Sequence, residues 1–124
     1  MSEQYASVFT ELQNQNANIE KGCLLSPAGD VLFSAGDWDV SGDAKALLEA
    51  WLNHGPRLEV QGTGYSILRS EPEQLVSKNI AGKGSVVGSI TKGGNYLIAH
   101  LGPCSTEQVG RDYLDVARAA AKMR

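Results

Sequence analysis

No apolar run in the 124-residue sequence approaches the roughly 20 residues that cross a bilayer as a helix. The opening Met1-Ser2-Glu3-Gln4-Tyr5 has neither the basic start nor the apolar core of a secretory signal, so a cytoplasmic location is expected. Cysteine and histidine are equally scarce, with two of each. Cys23, His54, His100 and Cys104 show none of the close paired spacings of structural zinc modules. Cys104 lies four residues beyond His100, but on an extended strand and turn that spacing does not bring a thiol to its base, as a cysteine hydrolase requires. Gly82-Lys83-Gly84-Ser85 is not a phosphate loop. Such a loop needs an earlier glycine and a hydroxyl directly after the lysine, and Ser77 and Gly84 stand in those places. No metal, no cofactor and no enzymatic activity are expected, and the cysteines read as free, partly buried thiols.

What is present suits a single domain over residues 1–124: 42% apolar residues, enough for one sizeable core. The formal net charge of −3 argues against a nucleic-acid partner and hides an asymmetry. Residues 1–56 carry eight acids and two bases, whereas residues 57–124 carry six acids and nine bases. Arg69, Lys78, Lys83 and Lys92 contribute to that excess, so one face suited to an acidic partner is expected.

Tyr5, Val8, Phe9 and Leu12 make the stripe of an amphipathic helix running from Glu3 to about Asn16. Two short apolar runs, 21–25 and 30–35, flank Ser26-Pro27-Ala28-Gly29-Asp30 and predict a hairpin. Ala44, Leu47, Leu48, Trp51 and Leu52 predict a helix over residues 42–53, with Ser41 as its N-cap and His54-Gly55-Pro56 as its stop. Residues 57–61 fit either a helical turn or a short strand. From Gly62 to Leu101, runs of apolar or alternating character are punctuated by Glu71-Pro72-Glu73, by Gly82-Lys83-Gly84 and by Gly93-Gly94-Asn95. That is the pattern of an antiparallel meander. Ser105 with Gln108 fits a capping box opening a last helix, whose apolar stripe is Val109, Tyr113, Val116, Ala117 and Ala120. Of the two tryptophans, Trp51 falls on a core stripe, while Trp38 between two aspartates is open to a binding role.

This ordered set resembles the profilin family. The residues that carry the likeness are Gly29-Asp-Val-Leu-Phe-Ser-Ala-Gly36 before a Ser-started helix, Gly62-Thr-Gly64 with Tyr65-Ser-Ile-Leu-Arg69, and Lys83-Gly-Ser-Val-Val-Gly-Ser-Ile-Thr-Lys92. Strand 96–101 and the capped final helix complete it. The likeness spans essentially the whole chain, and the compact meander is nearer to archaeal and lower-eukaryotic members than to vertebrate ones. It implies an α+β fold, α/β in the broad sense: an antiparallel sheet with the N- and C-terminal helices on one face and smaller helices on the other. It also implies a monomer, associated with the cytoskeleton, that binds the actin monomer, regulates its polymerisation and modulates nucleotide exchange on it. By that likeness the actin-binding positions are Arg69, Lys78, Lys83, Thr91, Lys92, Gln108, Arg111 and Asp112. The family's second site stacks proline-rich peptides on an aromatic groove between the terminal helices. Its candidates here are Tyr5, Phe9, Phe33 and Trp38, and the C-terminal Ala119-Ala-Ala-Lys-Met-Arg124 supplies no ring. Acidic phospholipids are a further family ligand. A roadblock-like module, which dimerises and serves small GTPases, has a similar order of elements and is the alternative reading.

Overall fold

The computed structural model describes residues 2–36 and 38–123; Met1, Asp37 and Arg124 lie outside the described residues. Helix α1 (Ser2–Gln15) leads into β1 (Ile19–Leu25) and β2 (Val31–Ala35), followed by α2 (Ala44–Leu52). The meander comprises β3 (Arg57–Val60), β4 (Thr63–Glu71), β5 (Gln74–Lys78), β6 (Ser85–Ile90) and β7 (Tyr96–Leu101), and α3 (Thr106–Ala120) closes the described order. All seven strands form one antiparallel sheet in the order β2-β1-β7-β6-β5-β4-β3. The ambiguous 57–61 segment is thus an edge strand.

Because strand side chains alternate, the sheet has two apolar faces and each has its own helices. Leu24, Val76, Val87, Leu97 and Ala99 pack beneath α1 and α3, meeting Tyr5, Phe9, Leu12, Val109, Val116 and Ala120. Leu25, Leu75, Val86, Tyr96 and Ile98 point the other way, against Leu47, Leu48 and Trp51 of α2. Two glycines let the helices come this close. A Cβ on Gly22 would run into the Phe9 ring, and one on Gly88 would lie 2.8 Å from Trp51 Cζ3.

Two expected caps differ from what forms. Ser41 does not cap α2: its hydroxyl donates to Asp39 Oδ1 at 2.6 Å, and Asp43 holds the N-cap position without a side-chain cap bond. The Asp43 carboxylate instead accepts the Gln61 N–H at 2.9 Å, tying the helix entry to the turn before β4. At α3, Ser105 Oγ accepts the Gln108 N–H at 3.1 Å as expected, but the Gln108 side chain turns to Asp112 rather than back to the cap.

Candidate protein-docking site

A β-bulge decides where the cations point. Ser66 pairs with Lys78 and Ile67 with Ser77, but the register then shifts, and Arg69 pairs with Val76. Paired residues share a face, and Val76 belongs to the core beneath α3, so the bulge turns Arg69 to the same face as Lys78. Without it, strict alternation would have sent Arg69 toward α2. Lys78 Nζ donates to Thr106 Oγ1 at 3.2 Å at the start of α3, and exposed Lys83 sits in the turn between β5 and β6. Lys92 lies elsewhere: its N–H donates to the Ala120 carbonyl at the far end of α3. A helix of 15 residues separates these two ends by about 21 Å.

Opposite charges intersperse this face. Arg69 pairs with Glu71 at 2.7 Å and Arg111 with Glu107 at 2.6 Å, all four side chains being well exposed. Such pairs contribute about 0–1 kcal/mol each and dissolve readily in favour of a partner's carboxylate. Tyr113 of α3 is buried beneath this face; burial, and behind it the Glu71 and Glu73 carboxylates, raises its hydroxyl's pKa against a hydrogen bond with Ser89 and the charge of Arg69.

Two of the eight expected actin-binding positions are not presented. Asp112 is fully buried, its carboxylate accepting from Asn16 Nδ2 at 2.8 Å, Asn18 Nδ2 at 2.7 Å and Gln108 Nε2 at 2.7 Å. It fastens the turn after α1 to α3. Thr91 is 4% exposed, and its hydroxyl accepts the Asn95 N–H at 3.0 Å within the β6–β7 hairpin. Gln108 is half-buried and engaged with Asp112. Absent from the expected set are the three most exposed large aliphatic side chains among the described residues: Leu68 at 52%, Leu114 at 54% and Ile80 at 90% exposure. A Leu beside a bulge and an Ile inside a turn carry no periodic signal of exposure, so only the folded chain reveals them.

The aromatic groove does not assemble. Tyr5 and Phe9 are buried against Phe33, with ring centroids 6.4 and 6.1 Å from it, so their faces serve the core. Trp38 lies on the opposite side of the sheet, edge-on to His100 at 5.8 Å. The groove between α1 and α3 is lined by Val8, Glu11, Gln15, Asp115, Arg118 and Lys122 among others, and by no aromatic among the described residues. Nor do Cys104 and His100 meet: Cys104 packs on the α1–α3 side, while His100 pairs with Val86 on the α2 side. Burial pushes the Cys23 thiol far above its usual range.

His100 Nδ1 lies 3.0 Å from Glu20 Oε1, and Trp38 and Tyr65 pack edgewise on the ring. The carboxylate can only accept, so Nδ1 carries the hydrogen. Burial lowers the imidazole pKa below its ordinary 6.5, outweighing the opposing pull of Glu20. The folded state therefore binds fewer protons than the unfolded chain, and stability falls as pH drops below 6.5 toward the lowered folded value. Denaturant melts of the wild type and His100→Gln at pH 5 and pH 7 should show the wild type losing more on acidification. Equal losses would mean that His100 does not contribute.

No family model matches the chain. Among curated proteins, Loki profilin-3 of Lokiarchaeum sp. (strain GC14_75) is 39% identical over 102 residues, covering 81% of this chain and 83% of its own. The chain belongs to the profilin family. Thor profilin of Thorarchaeota archaeon (strain AB_25) is 29% identical over 127 residues, covering 100% of this chain and 98% of its own. Among solved structures, LokiProfilin2 in its complex with rabbit actin superposes with a TM-score of 0.84 at 27% identity, over 99% of this chain and 97% of that one. Acanthamoeba castellanii profilin IB shares the fold at a TM-score of 0.70, 15% identity and coverage of 88% and 89%. The terminal helices on one sheet face and α2 on the other are thus the profilin arrangement, and among the described residues no helix is long and apolar enough to cross a membrane.

Proposed function

We propose that this profilin binds the actin monomer and thereby regulates actin polymerisation, as a cytoplasmic, cytoskeleton-associated binding protein rather than an enzyme. The observation that carries the reading is the likeness, over nearly the whole chain, to a profilin solved in complex with rabbit actin. The surface formed by β4, β5 and the flank of α3 supports it, because Lys78 and Lys83 stand there in no ion pair among the described residues. Arg69, Arg111 and Lys92 are its outlying cations. Proline-rich peptides find no aromatic ring lining the groove between the terminal helices among the described residues and are not proposed as partners.

A charge reversal tests the docking face. Lys78→Glu with Lys83→Glu should weaken binding to actin monomers by about tenfold and flatten its salt dependence. Arg69→Glu with Lys92→Glu should weaken it less, because Arg69 is already neutralised by Glu71 and Lys92 sits at the other end of α3. Titration of labelled monomeric actin with each variant reads the difference, and circular dichroism checks the fold. Equal effects of the two pairs would move the centre of the interface. Light scattering should find a monomer; a tight symmetric dimer would contradict one-to-one binding by a free docking face.

A further inference from the structure

An apolar projection stands beside Lys78 on the docking face. Ile80, in the turn between β5 and β6, is 90% exposed, and Leu68, the extra residue of the β4 bulge, is 52% exposed. Both line one groove of about 470 Å³, together with Lys78, Pro103, Cys104 and Thr106. A lone exposed aliphatic side chain is ordinary on protein surfaces. Two features distinguish this one.

The first is that the turn holds Ile80 outward. Buried Asn79 accepts the Ala81 and Lys83 N–H groups on Oδ1 at 2.9 and 3.1 Å, and its Nδ2 donates to the Gly64 carbonyl at 2.7 Å. Its backbone closes the same turn, from Asn79 N to the Gly84 carbonyl at 2.9 Å and from Gly82 N to the Asn79 carbonyl at 3.2 Å. A segment fastened at both ends loses little conformational freedom when a partner arrives. The second feature is charge. Lys78 and Lys83 flank Ile80 in sequence and stand in no ion pair among the described residues, whereas Arg69 and Arg111 are already paired. Apolar surface beside free positive charge is complementary to an apolar side chain with carboxylates next to it.

We infer that Ile80 and Leu68 are the apolar anchor of the contact with the actin monomer, taking an apolar side chain of actin whose neighbouring carboxylates meet Lys78 and Lys83. The inference rests on the actin reading given above. It makes the core of the interface apolar and assigns the charges mainly to orientation and encounter rate.

The test is titration of monomeric actin with the wild type, Ile80→Ser and Leu68→Ser at two salt concentrations. Ile80→Ser should weaken binding by about ten- to a hundredfold, the span expected for losing a buried aliphatic contact, with the melting temperature and the salt dependence unchanged. Leu68→Ser should act in the same direction. Wild-type affinity in both serine variants, with the wild type itself binding, overturns the anchor while leaving the actin reading intact. No binding by the wild type overturns the actin reading.

Discussion

Trp51→Ala is expected to destabilise the fold by about 3–5 kcal/mol, the usual cost of emptying a large buried aromatic site. Trp51 is fully buried at the centre of the α2 side. Its ring sits on Gly88 and meets Tyr96 edge-on at 5.0 Å, and its Nε1–H donates to the Glu71 carbonyl at 2.6 Å. Because domains of this size are stable by only about 5–15 kcal/mol, the variant should approach the unfolding threshold at 37 °C. Trp51→Phe keeps most of the ring and loses the hydrogen bond, so it should cost about half as much. Urea melts followed by circular dichroism distinguish the two. A loss below about 1 kcal/mol for the alanine variant would mean that α2 does not rest on the sheet through this ring.

Asp112→Ala should cost about 3–5 kcal/mol, because three half-buried amides, on Asn16, Asn18 and Gln108, lose the acceptor they share, and Asn16 keeps only its 3.0 Å bond to Asp115. Asp112→Asn is the sharper variant. It preserves volume but replaces one accepting oxygen with an NH₂ donor facing amide donors, so it should also destabilise, by about 2–3 kcal/mol. Near-wild-type stability of the asparagine variant would contradict the network. Its functional side effect is predictable too: Gln108 and the start of α3 border the docking face, so any residual actin binding by a folded variant should be weakened rather than lost.

The meander was legible because its turns are written in Gly, Pro and Asn, and the two amphipathic stripes at the ends were legible because helical periodicity survives without knowledge of partners. The placing of the terminal helices on one face and of smaller helices on the other was implied by the likeness to profilins. What escaped the sequence lies where local rules have competitors. Ser41 had a cap's chemistry, but the helix begins at Ala44, which puts Asp43 at the N-cap and leaves Ser41 two residues outside it, bonded to Asp39. Asp112 was expected at the actin contact, although it falls three residues after Val109 and four before Val116, inside the apolar stripe, and two of the amides that satisfy it come from residues 16 and 18, far away in the chain. Arg69 reached the docking face only through a bulge, and strand alternation does not announce an extra residue. Trp38 followed Gly36 to the wrong side for a groove shared with Tyr5 and Phe9. The charge tally of the two halves was correct as arithmetic but incomplete as a map, since Glu71 and Glu107 neutralise two of the arginines in place.

The central claim is that this profilin is an actin-monomer binder whose contact is centred on the β4–β5 face beside α3. The most direct measurement is a titration of fluorescently labelled monomeric actin with the wild-type chain, alongside the rate of filament assembly from the same actin. Saturable one-to-one binding and slowed spontaneous assembly are expected as the chain approaches saturation. Unchanged monomer fluorescence, with unchanged assembly at concentrations well above those of the actin, would contradict the claim.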